Sequence, residues 1–299
     1  MNINILGAGA FGTALALVFY QKHHVRLITL PKYLKELEFG YNSFLPDVKI
    51  PPSIDVHTEI DPSCDVLFSV TPAQTIDDTT HKIAQLLPAH TPVVFCSKGL
   101  YVKDQKPYLM TDYAQTKLKN PLYALGGPNF AHEMAAFQKS YATVAGPDAD
   151  KLCKELSQDH FILEPWHDVC GVQVAGCMKS VFAIASGYYE GMKKCFNERA
   201  ALFTMAFSEM IMLGQTFWGD VFDEASLLTH AGVGDLVLAC TNIQSRNYKF
   251  GVALASGMTF ENFKKQYNVT VEGVYTAQAL HAIKGKLELP ICDMIYEHL

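Results

Sequence analysis

Short apolar runs alternate with helical patterns through the first half of the chain. The runs at 3–6, 25–29, 66–70, 93–96 and 123–125 read as strands, and the helical stretches between them predict βαβ units around a parallel sheet. Beyond Glu164-Pro165-Trp166-His167 the pattern changes, because from Asp168 onward long amphipathic or wholly apolar stretches dominate and strand signals are scarce. The chain is therefore read as an α/β domain with a doubly wound parallel sheet over residues 1–166 and an all-α carboxyl-terminal domain over residues 167–299. No internal repeat or low-complexity tract interrupts this plan. The amphipathic stretch at 197–213 is assigned to the core or to a homodimer interface rather than to a membrane.

Composition narrows the picture. Of 299 residues, 49% are hydrophobic and 18% charged, and Gly, Lys or Glu breaks the apolar runs before the ~20 residues that span a bilayer. A soluble protein with no stable membrane insertion is expected. The start, Met1-Asn2-Ile3-Asn4-Ile5-Leu6, has no cationic region ahead of its apolar run, so no signal peptide is read and a cytoplasmic location is expected. The eight cysteines never adopt CxxC spacing and are read as buried free thiols; no histidine pair suggests a metal site. A net charge of −6 without a Lys/Arg run excludes nucleic acid as a partner, so an anionic ligand has to be held by a local cluster.

The first such cluster is Gly7-Ala8-Gly9-Ala10-Phe11-Gly12, which follows the first strand and opens a helix expected over 11–22. Gly7 permits the tight turn, Gly9 lets the backbone approach a pyrophosphate, and Gly12 lets helix and strand pack closely. The helix amino terminus then faces the phosphates. This is the Rossmann pattern for a dinucleotide. At the end of the second strand, Thr29-Leu30-Pro31-Lys32 offers no acid to ribose hydroxyls, so NADP is favoured over NAD; Lys32 is either a partner for a 2′-phosphate or a solvated loop lysine. Thr71-Pro72-Ala73 and Cys96-Ser97-Lys98-Gly99 follow later strands, at the edge where open α/β sheets bind ligands. Lys98 there is read as projecting toward the cofactor, with a plain surface lysine as the alternative.

In the helical half, the apolar segment 171–185 carries one cation, Lys179, whose burial is costly unless a partner or a reaction uses it. Gly232-Val233-Gly234-Asp235-Leu236 brings an acid into a second apolar segment. Gln244-Ser245-Arg246-Asn247 sets an arginine among short polar donors, a combination suited to a phosphate.

Taken together, these residues resemble the bacterial-type NAD(P)-dependent glycerol-3-phosphate dehydrogenases along nearly the whole chain. The resemblance includes the stretch 7–16, Ser97-Lys98-Gly99, Gly127-Pro128-Asn129-Phe130-Ala131-His132-Glu133, the Lys179 helix, Asn197-Glu198-Arg199-Ala200-Ala201, Gly234-Asp235, Ser245-Arg246-Asn247 and Val271-Glu272-Gly273-Val274. It implies reversible hydride transfer between NAD(P)H and the central carbon of dihydroxyacetone phosphate, supplying sn-glycerol 3-phosphate for phospholipid synthesis. It also implies that Lys179 is the general acid/base and that Lys98 and Asp235 lie in the substrate site. Gly127 and Asn129 line the substrate pocket, and Ser245, Arg246 and Asn247 grip the phosphate. The cofactor is touched by Gly7, Gly9, Ala10, Phe11, Gly12, Lys98, Ala131, Arg246 and Glu272. A homodimer is expected.

The chain departs from the family at Ser180, where asparagine is common, at Ala239, where threonine is usual, and at Leu30-Pro31, where a basic pair is usual. It ends soon after Leu289-Pro290-Ile291, as a shortened member would. Two rival readings are a related β-hydroxyacid or ketopantoate-type dehydrogenase and a non-catalytic dinucleotide sensor. Ser245-Arg246-Asn247 argues against the first, and the joint presence of Lys98, Lys179 and Asp235 against the second.

Overall fold

A computed structural model describes residues 1–267 and 269–299. The chain forms two compact units, one of Met1–Ser97 with Met110–Val169 and the other of Lys98–Leu109 with Cys170–Leu299. A single cut near residue 166 does not describe this division, because the short segment 98–109 belongs to the second unit.

In chain order the strands are β1 (Asn2–Leu6), β2 (His24–Ile28), β3 (Asp55–His57), β4 (Val66–Ser69), β5 (Val93–Phe95), β6 (Tyr101–Lys103), β7 (Lys106–Tyr108), β8 (Leu122–Gly126), β9 (Ser140–Ala145) and β10 (Phe161–Trp166). Eight of them make one sheet in the first unit, ordered β10-β9-β8-β5-β4-β1-β2-β3. Its core is the Rossmann arrangement, which reverses direction between β1 and β4, the place where such sheets bind ligands. The pairing is parallel except between β8 and β9. The expected doubly wound parallel sheet is thus present, with one antiparallel step toward its β10 edge. The strands β1, β4, β5 and β8 are almost wholly buried, so they appear in the sequence as continuous apolar runs. By contrast β3 and β10 lie at the two edges and are only partly buried, and β10 carries Glu164 and Pro165, which an edge strand tolerates.

The second unit is built on the helix Val169–Gly191. This helix is long and apolar enough to cross a bilayer, contrary to the expected interruption of apolar runs, yet 94% of its most apolar window is buried within the protein. A helix apolar all round belongs inside a core. Around it lie Phe196–Trp218, Asp235–Thr241, Arg246–Ala255, Glu272–Ile283 and Pro290–Glu297. The named elements beyond Trp166 are all helical, as expected, and the segment 98–109 adds to this unit the antiparallel hairpin of β6 and β7 beside Glu272–Ile283. Asp104 and Gln105 at its tip both take positive φ (51° and 60°), the backbone of a two-residue primed turn. Asp-Gln is a weaker sequence signal for this turn than Asn-Gly, which is why the hairpin escapes a reading of patterns. Seven of the eight cysteines are buried; Cys195 is exposed.

Candidate active site

Gly7, Gly9, Ala10, Phe11 and Gly12 lie where β1 passes into the helix Ala10–Phe19. Gly7 has φ +118°, and a methyl group there would lie 2.7 Å from the Val70 carbonyl oxygen at the end of β4. A methyl group on Gly12 would strike the Gly7 carbonyl. Gly9 differs: a methyl group there meets nothing within 4 Å, and no side chain caps the helix that Gly9 opens. The loop is thus tight where it supports itself and open where backbone N–H groups would meet a pyrophosphate, so these residues fit a dinucleotide.

Because β1, β4, β5 and β8 run parallel, their carboxyl ends bring this loop, Thr71, Ser97 and Gly127 to one edge of the sheet. Ser97 Oγ donates to the Thr71 carbonyl at 2.5 Å and ties two of these loops together. A side chain at Gly127 would collide with the β9 backbone at Tyr141 and Ala142. Asn129 buries both Nδ2 and Oδ1 without a hydrogen-bond partner, as a side chain awaiting a polar ligand does. Ala131 opens the helix Ala131–Ala135 just beyond.

Lys98, Lys179 and Asp235 come together in the second unit. Asp235, 2% exposed, accepts from Lys98 Nζ at 2.5 Å through Oδ2 and from Lys179 Nζ at 2.6 Å through Oδ1. The acid opens the helix Asp235–Thr241, where a negative charge is favoured, immediately after a π-helical turn at His230–Gly234. Burial alone would push the Asp235 carboxyl up, but the two ammonium groups outweigh it and hold the acid below its usual range. Burial pulls the Lys179 ammonium down to about 8; Asp235 opposes that shift and Lys98 adds to it. Lys179 keeps 12% of its side chain exposed, against 2% for Asp235. The cluster is therefore an amine whose proton affinity is lowered toward neutrality, held by a buried carboxylate. Ser180 and Ala239, the two departures from the family pattern, are both buried.

Ser245 caps the helix Arg246–Ala255, its Oγ accepting from the Tyr248 N–H at 3.3 Å while its own hydrogen stays available for donation. Arg246 is exposed overall, although crowding by protein still lowers its guanidinium pKa and the Glu272 carboxylate opposes that shift. Asn247 Oδ1 accepts from the Gly273 N–H at 3.0 Å, which brings the phosphate-type cluster beside Glu272 at the start of Glu272–Ile283. Its Nδ2 donors are not used in that contact. The expected site residues thus form two sets. Gly7, Gly9, Ala10, Phe11, Gly12, Gly127, Asn129 and Ala131 belong to the first unit, and Lys98, Lys179, Asp235, Ser245, Arg246, Asn247 and Glu272 to the second. Tyr248, which no sequence signal singled out, emerges as the residue on which the Ser245 cap closes.

A Rossmann sheet with an open glycine cradle, in one chain with a helical unit that buries a lysine on an aspartate, defines a two-domain nicotinamide-dependent dehydrogenase. The chain belongs to the NAD-dependent glycerol-3-phosphate dehydrogenase family, whose amino-terminal model matches residues 2–152 and whose carboxyl-terminal model matches residues 168–299. It is 34% identical to a glycerol-3-phosphate dehydrogenase (NAD(P)+) of Bartonella henselae, across 100% of this chain and 91% of that protein. A Gluconobacter oxydans protein of the same description is also 34% identical, over 98% and 91%. The solved glycerol-3-phosphate dehydrogenase of Coxiella burnetii superposes with a TM-score of 0.91 at 31% identity, covering 100% of this chain and 95% of that one. A ketopantoate reductase from Ralstonia eutropha reaches 0.62 at 12% identity and shares the fold alone.

Proposed function

We propose that this protein interconverts dihydroxyacetone phosphate and sn-glycerol 3-phosphate with NAD or NADP. The observation that supports this reading best is the lysine held on buried Asp235 in a chain of this family. When bound, the nicotinamide supplies the hydride to the ketone carbon or accepts it from the alcohol. Lys179 Nζ gives its proton to the ketone oxygen during reduction and takes it back from the hydroxyl during oxidation. Asp235 keeps that amine in place, and Lys98 adds the positive charge that lowers its proton affinity. Arg246, with the donors of Ser245 and Asn247, holds the substrate phosphate and so fixes the reacting carbon. The glycine loop from Gly7 to Gly12, with Ala131 in the same unit, holds the dinucleotide.

The test compares dihydroxyacetone phosphate with unphosphorylated dihydroxyacetone. Phosphate contacts that serve the transition state should make kcat/KM for the phosphorylated ketone higher by at least about 100-fold. Equal values would sink the phosphate assignment. Phosphate recognition and the family match both disfavour the ketopantoate-type alternative. We also place the enzyme in the cytoplasm and read it as a homodimer; the exposure of Phe196 and Met205 on the Phe196–Trp218 helix supports the second of these.

A further inference from the structure

Arg199 lies in Asn197-Glu198-Arg199-Ala200-Ala201, a segment to which the site described above gives no part. Its Nη2 donates to Tyr248 Oη at 3.1 Å, and its Nη1 forms an ion pair with Glu190. Tyr248 Oη in turn donates to Glu190 Oε2 at 3.4 Å. Three helices therefore meet at one polar knot: Val169–Gly191, which carries Lys179; Phe196–Trp218, which carries Arg199; and Arg246–Ala255, which carries the proposed phosphate grip.

Tyr248 is 5% exposed and held at both ends. Its backbone N–H is bonded to Ser245 and its hydroxyl to Arg199. The residues just ahead of it in the same turn are Arg246 and Asn247. Nearby, the phosphate helix crosses the Lys179 helix at backbone distance. A methyl group on Gly187 would strike the Tyr248 carbonyl, and one on Gly251 would strike the Ile184 carbonyl. Such a glycine contact brings two helices close but offers few side chains to stop one from turning on the other. A hydrogen bond placed off that contact, to a charged donor anchored on a third helix, supplies the stop. Arg199 is already engaged by Glu190 and Tyr248, which suits a structural tie.

We infer that Arg199 is a positioning residue for phosphate recognition. By holding the Tyr248 hydroxyl it fixes the orientation of the first turn of Arg246–Ala255 and hence the direction of the Arg246 fork. This rests on the phosphate role proposed for Arg246. The test uses the full chain and measures KM and kcat for dihydroxyacetone phosphate, with dinucleotide Kd from nicotinamide fluorescence. Arg199→Ala and Tyr248→Phe should each raise KM about tenfold, with kcat changed by less than about threefold and dinucleotide Kd unchanged. The loss in the double variant should fall short of the sum of the two single losses, because both changes break the Arg199–Tyr248 bond. Tyr248→Phe keeps the buried ring and removes only the hydroxyl, so it decides the matter if Arg199→Ala does not fold. Wild-type KM in Tyr248→Phe, additive losses in the double variant, or a parallel rise in dinucleotide Kd would each overturn the inference. Arg246→Ala in the same assay separates the two claims. If it too leaves KM unchanged the phosphate reading itself fails, whereas a raised KM in Arg246→Ala alone removes only the role of Arg199.

Discussion

Lys179 combines a lowered proton affinity, residual access and a fixed carboxylate partner, and each has a measurable consequence. Lys179→Ala should reduce kcat by about 1,000-fold or more while dinucleotide affinity stays near that of the wild type, since the glycine loop is in the other unit. Lys179→Arg should be nearly as inactive, because a guanidinium holds its proton throughout the working range. Turnover near the wild-type rate in Lys179→Ala would move the proton transfer elsewhere, with Lys98 the next candidate. The pH profile has a definite sign. Ketone reduction needs the protonated amine, so its kcat/KM should fall as pH rises through about 8; alcohol oxidation needs the free amine and should rise through the same region. Asp235→Asn removes a charge that raises the lysine pKa, so the falling limb of ketone reduction should move to lower pH. The lysine was legible in the sequence because one cation in an apolar helix demands a reason. Its geometry was not legible, since Asp235 is 56 residues from Lys179 and 137 from Lys98, and only folding brings the three together.

Among the elements, those buried on both faces left the clearest mark in the sequence. Continuous apolar runs revealed β1, β2, β4, β5 and β8, whereas β3, β9, β10 and the β6–β7 hairpin passed unnoticed. The edge strands β3 and β10 keep one side in water and so mix polar with apolar residues. In β9, Ser140-Tyr141-Ala142-Thr143 dilutes the apolar signal with small and polar residues. Helix ends were less legible still, because their partners come from distant parts of the chain. The helix Pro290–Glu297 illustrates this: Pro290 has no N–H, and the next two donors, on Ile291 and Cys292, are satisfied by the carboxylate of Glu209 at 2.5 and 3.3 Å. Glu209 is 1% exposed, so its burial is tolerable only while those bonds exist. Glu209→Ala should lower the free energy of unfolding by about 2–3 kcal/mol, read from urea midpoints, because it leaves two buried donors unpaired. The kcat of the folded fraction should not change; unaltered stability would show that water replaces the carboxylate.

Across the whole chain, each unit closes a core of its own, and the division of labour follows from what each core can hold rigid. The sheet edge presents backbone groups, which suit a pyrophosphate; the helical unit presents charged side chains on buried stems, which suit a proton and a phosphate monoester. Sequence order hides part of this plan, since Lys98 follows β5 of the sheet yet belongs to the helical unit. The choice between NADP and NAD turns on the end of β2. Leu30, 60% exposed, precedes the helix Pro31–Glu38 without a side-chain cap, and no carboxylate occurs from Leu30 to Lys32. The Lys32 ammonium lies 4.7 Å from the Tyr33 ring, which keeps a cation close to the strand end. An acid there would bind ribose hydroxyls and repel a 2′-phosphate, whereas its absence beside a lysine removes the repulsion and adds an attraction. The expected outcome is kcat/KM for NADPH at least equal to that for NADH, and Lys32→Glu should shift the ratio toward NADH by about tenfold. Steady-state rates with both cofactors on the two proteins measure this directly. A wild-type protein with a strong NADH preference that Lys32→Glu does not alter would place the discrimination outside this strand end, with Glu272 the first residue to replace.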